Sequence, residues 1–250
     1  ARCFNDDDHD HEMAHAAGAV FFCDAVAAGG WLQIDVNELG VDLLSIRPQR
    51  FGGPKGIGIL WKKSSVRLAP QIHGGVQEDG LRGGTENLPG IIGAGAAAQD
   101  VLPTIASRAE QASKQQQRLL NGLRQKIEEL HLNGPEPGIE RLPNQLNISI
   151  EGLEGEALAL ALDVQGVAVA AGASCVSREL KTPPVLAAIG VPPKLAQASV
   201  TLSLGSDTSD DEIEAVLDIF PRVVARLRSM SPSWKKSSST RTQASARFAE

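Results

Sequence analysis

The sequence has no tyrosine and few of the residues on which cross-linked miniproteins and metal-stapled domains depend. Its 250 residues include six phenylalanines, three tryptophans and three cysteines. Cys3, Cys23 and Cys175 are too few and too widely spaced for a disulfide framework or a zinc ribbon. The core must therefore be aliphatic, and the cysteine content fits a reducing compartment.

Long hydrophobic runs and an excess of positive charge are also missing. The most apolar segment, residues 157–173, is interrupted by Asp163 and Gln165 before it could cross a bilayer. No basic region followed by an apolar stretch opens the sequence, so we predict no secretory signal. The 24 Lys and Arg residues against 30 Asp and Glu give a net charge of −6, which repels a polyanion.

The overall composition is that of a globular protein, since 42% of the residues are hydrophobic and 22% are charged. This balance excludes a disordered chain. We expect a soluble, cytoplasmic protein with no nucleic acid and no membrane among its partners. An organelle stroma or matrix is the alternative location if the natural N-terminus lies upstream of this sequence.

The 25 glycines and 14 prolines indicate many tight turns and small-residue packing, as in α/β proteins whose helices lie close to a sheet. In a first block we predict a short helix over EMAHAAG, strands over AVFFC and DLLSI, and a hairpin strand within GPKGIGILWKK. Cys23 follows an apolar run and is expected to be buried. A long amphipathic helix from Ser107 to about His131 is predicted to bridge this block to a second one.

The second block also alternates predicted strands and helices. It contains predicted strands over QLNISI, GVAVA and ASVTLSL, helices over EGEALALAL and PPVLAAIG, and a final helix from about Asp210 to Leu227 that Ser209 can cap. The expected organisation is a disordered acidic N-terminus over 1–11, a first domain over 12–106, a bridging helix with a small domain over 107–228, and a disordered tail over 229–250. The predicted fold class is α/β, with a smaller α+β domain on the C-terminal side.

Metal-binding residue types are concentrated near the N-terminus. Residues 6–11, with Cys3 and His15 nearby, offer nitrogen, oxygen and sulfur donors to a transition metal. Their spacing matches no closed site, and no rigid element holds them. A solvated acidic terminus is the favoured interpretation, and we expect no metal.

A glycine-rich stretch, HGGVQEDGLRGGTEN over residues 73–87, opens into an apolar helix. Its five glycines allow the backbone to approach a ligand or another chain closely. Thr85 can either cap the helix or offer its hydroxyl to a phosphate group. A plain structured loop is the equal alternative.

Cys175 lies in the small-residue segment AAGASCVS, after an apolar strand. A cysteine on such a loop can be exposed and mobile, as a nucleophile must be, but thiol reactivity also requires a lowered pKa. The residues alone leave both a catalytic and a structural role open.

Taken in order, several segments resemble the cysteine desulfurases that supply sulfur for iron–sulfur clusters, which are fold-type I enzymes using pyridoxal phosphate (PLP). The segments are FFCDAVAAGGWLQIDVNELGVDLLSI, FGGPKGIGIL, HGGVQEDGLRGGTENLPGIIGAGAA, RLPNQLNISIEGLEGEALALAL, VAVAAGASCVS, PPVLAAIGVP and ASVTLSLG. The resemblance covers about residues 12–227. It implies the C-terminal part of a PLP-binding large domain, followed by a small domain that carries the cysteine loop.

The resemblance assigns roles to three residues. Asp24 matches the carboxylate that bonds the pyridine nitrogen of PLP, and Thr85 matches the hydroxyl that reaches the cofactor phosphate of the other subunit. Cys175 matches the loop cysteine that attacks the substrate sulfur and leaves as a persulfide, while alanine departs. The family also implies a dimer and a sulfur-acceptor protein as partners.

The departures from the family concentrate at the cofactor. The family places Ser-x-His-Lys immediately before the FGGPKG segment, and this chain reads Arg47-Pro48-Gln49-Arg50 there. Arg50 thus replaces the lysine that holds PLP as a Schiff base, and a delocalised guanidinium is a very poor nucleophile. Lys55 does not substitute for it, because the family has that lysine as well and does not use it for the linkage.

Two further matches are lost. Ala27 stands where the family has the Gln that bonds the PLP phenolic oxygen, and Thr201 stands where it has the Arg that holds the substrate carboxylate. The first part of the family fold, which supplies a phosphate-binding turn and the His that stacks on PLP, has no counterpart in this sequence.

Three hypotheses follow from the resemblance and its departures. The chain is a cysteine desulfurase, or a degenerate relative, or a persulfide carrier that works through Cys175. The degenerate relative is either an inactive partner or scaffold for an intact desulfurase, or the product of a truncated gene. The second hypothesis implies a heterodimer with the intact enzyme, whereas the first implies a homodimer.

Overall fold

The protein is described by a computed structural model that covers residues 10–138, 140–172, 183–231 and 234. The chain divides into two compact units, Ala1–Glu110 and Gln111–Glu250, which we call unit 1 and unit 2. Each unit builds its own sheet with accompanying helices, so the expected α/β fold class is confirmed. Within the described ranges, none of the helices combines the length and hydropathy needed to cross a membrane.

A three-stranded sheet of order β1-β2-β3 organises unit 1. The elements are α1 (Asp10–Ala16), β1 (Phe22–Asp24), β2 (Leu43–Ile46), a 3-10 turn (Pro48–Phe51), β3 (Ile59–Lys62), a second 3-10 turn (Gln77–Gly80), α2 (Leu88–Val101), a third 3-10 turn (Leu102–Thr104) and the start of α3 (Ile105–Lys126). β2 pairs in parallel with β1 and antiparallel with β3. The carboxyl ends of β1 and β2 therefore meet at one edge of the sheet.

The centre of this sheet is apolar. Cys23 of β1 pairs in register with Leu44 of β2, and both side chains are buried. The predicted burial of Cys23 is thus confirmed. α1 begins at Asp10, two residues before its predicted start, and it is attached to the sheet by a 2.8 Å contact between Nε2 of His15 and Oδ2 of Asp42.

Unit 2 contains a four-stranded antiparallel sheet of order β4-β5-β7-β6. Its elements after α3 are β4 (Leu130–Leu132), β5 (Gln145–Ile150), α4 (Gly155–Asp163), β6 (Ala170–Ala171), α5 (Pro184–Ala188), α6 (Pro193–Gln197), β7 (Ser199–Ser203) and α7 (Asp210–Met230). One face of the sheet packs Ile148 and Val200, both fully buried, against the apolar sides of α3, α4 and α7. The core of unit 2 is aliphatic apart from Phe220, as the composition predicts.

Ser209 caps the start of α7 as predicted, and the Glu212 side chain also takes part in the cap. The Ser209 hydroxyl accepts a hydrogen bond from the backbone of Glu212, and the Glu212 carboxylate accepts one from the backbone of Ser209. This reciprocal capping box satisfies two backbone donors that the first turn leaves unpaired. At the other end, the buried Arg228 donates to the carbonyl oxygens of Glu128 and Glu151, and its guanidinium lies 3.7 Å from the ring centroid of Trp234.

Some of the observed elements differ from the predicted ones or were not predicted. α3 ends at Lys126 rather than near His131, and Leu130 lies in strand β4, where it still packs against the core. β6 covers only Ala170–Ala171 instead of GVAVA, and the short helix α6 was not predicted. Most of the predicted disordered segments, 1–11 and 229–250, lie outside the described residues.

Candidate functional site

The candidate site lies at the edge of unit 1 where β1 and β2 both end. Asp24 is the last residue of β1, its side chain is exposed, and it lies opposite Ser45 of β2 in the parallel register. Its Oδ1 atom accepts a 2.7 Å hydrogen bond from the Ser45 hydroxyl and a 3.2 Å bond from the backbone N–H of Val26. Two donors thus fix a carboxylate that faces solvent, an arrangement suited to a cationic or protonated ligand atom.

The segment that replaces Ser-x-His-Lys is a tight turn at the same edge. Arg47 follows β2 directly, and the turn over Pro48–Phe51 comes next. Pro48 and Phe51 are buried, whereas Arg47 and Arg50 are exposed. The turn is therefore anchored by its apolar residues and presents its charged ones to solvent.

Gly29 and Gly30 leave room for the side chain of Phe51 to pack against the backbone. A Cβ atom built on Gly30 would lie 2.5 Å from Cβ of Phe51, and Gly30 has a φ of +79°, which side-chain-bearing residues rarely adopt. Gly29 is also in contact distance of the Phe51 ring. The backbone after β1 and the turn after β2 are thus packed together, which fixes the position of residue 50.

The side chains at this edge do not fit covalently bound PLP. Asp24 suits a protonated pyridine nitrogen, but position 50 carries a guanidinium instead of an amine, and position 27 is an exposed alanine with no donor. Lys55 is exposed and lies beyond the turn, after Gly52 and Gly53. The residues present therefore hold no Schiff-base linkage at the family position.

Thr201, which matches the family's carboxylate-binding arginine, lies in unit 2 within a neutral polar network. Its hydroxyl accepts a 2.8 Å hydrogen bond from Nδ2 of Asn147, and the two residues are paired across β7 and β5. Asn147 in turn accepts a bond from Asn133, which also donates to Ser149. This row of neutral side chains provides no cation for a carboxylate.

Thr85 is exposed on the glycine-rich loop of unit 1. Of its two predicted roles, the capping one is wrong, because Asn87 caps α2 by accepting a hydrogen bond from the backbone of Gly90. Within this loop Gly74 and Gly83 pack so closely that a Cβ atom on Gly83 would lie 2.8 Å from Cα of Gly74. The Thr85 hydroxyl thus remains available for a ligand or for another chain.

Cys175 lies outside the described residues, and so does most of the acidic stretch considered for metal binding. Within the described part of that stretch, Asp10 and His11 belong to α1, and nearby His15 binds Asp42. The Asp42 carboxylate also accepts a hydrogen bond from the Phe21 backbone N–H, and this bond and the one with His15 hold the pKa of Asp42 below its usual value. His15 therefore attaches α1 to the sheet.

One cluster of potential metal ligands was not predicted. Glu129, His131 and Glu151 in unit 2 each place a ligand atom within 4.8 Å of the others, next to the paired strands β4 and β5. All three side chains are half-buried, and no second observation points to an ion among them. No metal role is assigned to them.

Ser45 and Asn147 are the two residues of interest that sequence reasoning missed. Ser45 holds the predicted site residue Asp24, and Asn147 holds Thr201, which stands where the family has its carboxylate-binding Arg. The parallel register of β1 with β2 would have identified Ser45, since residue 24 lies opposite residue 45. No local motif marks either residue.

Comparison with known proteins gives a consistent result. The family model for aminotransferase class-V matches residues 5–216. The chain is 40% identical over 224 residues to a cysteine desulfurase IscS from Clostridium botulinum, and 39% identical over 218 residues to one from Dictyoglomus turgidum. These alignments cover 90% and 86% of this chain but 56% and 55% of the relatives, so the chain spans about half the length of the curated relatives it matches.

The comparison with solved structures agrees with the sequence matches. A NifS-like protein superposes with a TM-score of 0.73 at 31% identity, covering 83% of this chain and 53% of that protein. A NifS-like protein from Rickettsia africae gives a TM-score of 0.76 at 27% identity, with coverages of 85% and 56%. The resemblance seen in the sequence is thereby confirmed in both sequence and fold.

Proposed function

Because the chain belongs to the aminotransferase class-V family, and its relatives are cysteine desulfurases, we propose that it is a desulfurase-type protein that does not desulfurate cysteine unaided and acts together with an intact desulfurase. The single observation that carries this proposal is Arg50. It occupies the exposed turn at the carboxyl edge of the sheet, where the resemblance requires a lysine. Fold membership alone does not bring activity, because the chemistry depends on the side chains at the site.

The other replaced family residues also support the proposal that the chain does not desulfurate cysteine unaided. The Ala27 side chain offers no hydrogen bond, and the neutral Asn147–Thr201 pair offers no cation. Each hydrogen bond to a charged group is worth about 1.5–3 kcal/mol, so the missing contacts together remove most of the affinity for cofactor and substrate. We therefore expect weak, non-covalent retention of PLP at most.

The proposed partner is an intact desulfurase in a heterodimer, with homodimerisation of this chain as the alternative. The glycine-rich loop supports an interface role, because Thr85 is exposed and the close Gly74–Gly83 packing gives the loop a defined shape. In a heterodimer, Thr85 would offer its hydroxyl to the phosphate site of the partner. A sulfur-acceptor protein is expected to bind the pair.

A PLP titration of the purified chain tests the central point. The measurement is the absorbance of the mixture, followed by borohydride reduction and mapping of any labelled peptide. We expect no Schiff-base band and no fixed pyridoxyl peptide, while an intact relative treated identically is labelled. A pyridoxyl group recovered on any lysine, Lys55 included, would overturn the proposal.

Sedimentation analysis tests the partner. The chain is mixed with an intact desulfurase of the same family, and the Thr85→Val variant serves as the matched control. We expect a heterodimer in the mixture. In that heterodimer, Thr85→Val should weaken the contact with the PLP phosphate of the partner. A chain that stays monomeric at high concentration, alone and in the mixture, would contradict the interface role.

A further inference from the structure

Unit 2 has an apolar groove at the place where helix α7 ends. The groove has a volume of about 530 Å³, and we call it the unit 2 groove. Its apolar lining comes from α4 and the segment before it, from α6 and from the end of α7, and consists of Leu153, Ala157, Leu195, Leu227 and Met230. Met230 is 61% exposed, so a large apolar side chain of this lining is open to solvent. Such a surface is suited to binding another polypeptide segment.

The chain itself leads from α7 to the edge of this groove. Ser231, the residue after α7, donates a 2.7 Å hydrogen bond from its hydroxyl to the carbonyl oxygen of Gly152, and both residues line the groove. The Trp234 ring lies against the same glycine, where a Cβ atom would be 2.8 Å from Cε3 of the ring. The Arg228 guanidinium lies over the other side chain contact of this end, 3.7 Å from the Trp234 ring centroid. Trp234 is therefore held beside the groove, and the residues that follow it start from there.

The segment 235–250, which lies outside the described residues, is opposite in charge to the rest of the chain. It carries four basic residues and one acidic residue, a net charge of +3, so residues 1–234 carry (−6) − (+3) = −9. Its charged residues are Lys235, Lys236, Arg241, Arg247 and Glu250. The described lining of the unit 2 groove includes Glu151 and Glu154 but only one basic residue, Lys194. Both the groove and the whole body of the protein thus attract this segment.

Phe248 is the one large hydrophobic residue of this segment. It follows Trp234 by 14 positions, and a chain of that length has a root-mean-square span of about 20 Å. The groove begins beside Trp234, so Phe248 can reach its apolar lining without strain. Because the segment is tethered, its effective concentration at the groove is about millimolar, and a small number of contacts is enough to hold it.

We infer that the segment 235–250 binds in the unit 2 groove of its own chain. Phe248 contacts the apolar lining near Met230, and the two lysines after Trp234 lie beside Glu154. The bound segment covers the apolar end of α7. It thereby competes with any second protein for this surface, which becomes accessible only when the segment dissociates.

Photo-cross-linking in the full chain tests this inference. Phe248→p-benzoylphenylalanine keeps an aromatic ring at the proposed contact, and on irradiation its ketone inserts into a neighbouring C–H bond, forming a carbon–carbon bond and a tertiary alcohol. Mass spectrometry of the digested protein locates the product. We expect cross-links within one chain to residues 153–157, 194–198 and 227–230, with a yield that does not change on about tenfold dilution, because the contact is intramolecular.

Two lysine substitutions at exposed apolar positions provide the matched control. Met230→Lys places a charge on the lining of the unit 2 groove, and Val164→Lys places one at the end of α4, outside that lining. Both positions are exposed and lie at the C-terminal ends of helices, where a cation is favourable, so both variants should fold, which circular dichroism checks. Counting only cross-links to residues 153–157 and 194–198, we expect Met230→Lys to lower the yield about tenfold and Val164→Lys to leave it unchanged.

Three results would overturn the inference. They are a folded chain that forms no cross-link to the groove residues, cross-links that join two copies of the chain instead of forming within one, and equal effects of the two lysine substitutions. None of them bears on Arg50, because neither the groove nor the variants involve the cofactor position.

Discussion

The hydroxyl of Ser45 donates a 2.7 Å hydrogen bond to Oδ1 of Asp24 across the parallel strands β1 and β2. The two residues are 21 positions apart in sequence and are brought together by strand register alone. Ser45 therefore serves as a positioning residue for the one carboxylate at the site that matches the family.

Removing the Ser45 hydroxyl should loosen this edge of the sheet. We expect Ser45→Ala to lower the free energy of unfolding of unit 1 by about 0.5–1.5 kcal/mol, because a net hydrogen bond is worth that much. Urea denaturation measures the difference. Ser45→Thr keeps the hydroxyl and should fall within about 0.5 kcal/mol of the parent chain; equal losses in the two variants would show that the hydrogen bond contributes nothing.

The attachment of α1 should depend on pH through Asp42. The Phe21 backbone N–H and His15 hold the pKa of the Asp42 carboxyl below its usual value of about 3.9, so folding favours the ionised form. That stabilisation is fully present above about pH 4 and is lost as the pH falls through the lowered pKa.

Hydrogen exchange of the Phe21 amide checks this pH dependence. Protection should be constant near neutrality and should fall in acid, and Asp42→Asn should show reduced protection already at pH 7. If the protection of the Phe21 amide in the parent chain did not change with pH, that result would contradict the role given to Asp42.

Restoring the family lysine should not restore the activity. We expect Arg50→Lys to form no measurable alanine from L-cysteine in the presence of PLP, because Ala27 and Thr201 still leave the phenolic oxygen and the substrate carboxylate without their family partners, and Gln49 still replaces the His that precedes the family lysine. Alanine formation followed by chromatography is the measurement. Turnover by this single variant would show that the lysine alone separates this chain from an active enzyme.

Cys175 and Cys23 should differ strongly in thiol reactivity. Cys23 is fully buried in β1, so reagents reach it only when the sheet opens. We predict that Cys175 is alkylated at least tenfold faster than Cys23 in a Cys3→Ser background, as followed by mass spectrometry.

Sulfur transfer is measured separately with labelled cysteine and an active desulfurase. Label appearing on Cys175, and absent in Cys175→Ser, would support the persulfide-carrier hypothesis, while its absence would exclude that hypothesis. Slow alkylation of Cys175 would mean that its loop is less accessible than the sequence indicates.

Arg228 should be a main contributor to the stability of unit 2. Its buried guanidinium donates to two carbonyl oxygens and stacks on Trp234, a geometry that an ammonium cannot reproduce. We expect Arg228→Lys to cost about 2–3 kcal/mol in urea denaturation. The exposed Arg226 on the same helix is the matched control, and Arg226→Lys should change stability by less than about 0.5 kcal/mol.

The sequence predicted those elements that local signals define. The β5 prediction matches to the residue, and the capping signal of Ser209 placed the start of α7 correctly. β4 was missed because Ile127 and Leu130 continue the helical periodicity of α3, although Glu129 takes a positive φ of 52° between helix and strand. Only pairing with β5, distant in sequence, makes residues 130–132 a strand.

The site residues also divide into those that local motifs mark and those that only strand pairing brings to the site. Motifs identified Asp24, Thr85 and the altered turn around Arg50, because these lie in segments that resemble a known family. The partners Ser45 and Asn147 depend on which strands pair and in what register, and one sequence does not contain that information in any local pattern.

Gly30 and Phe51 hold the turn after β2 without a contribution from the side chain of residue 50. The turn after β2 is held by Phe51 against the two glycines, while residue 50 points into solvent and takes no part in that packing. Lysine and arginine at position 50 should therefore give proteins of equal stability. The packing that holds the turn therefore places no constraint on whether position 50 carries an amine or a guanidinium.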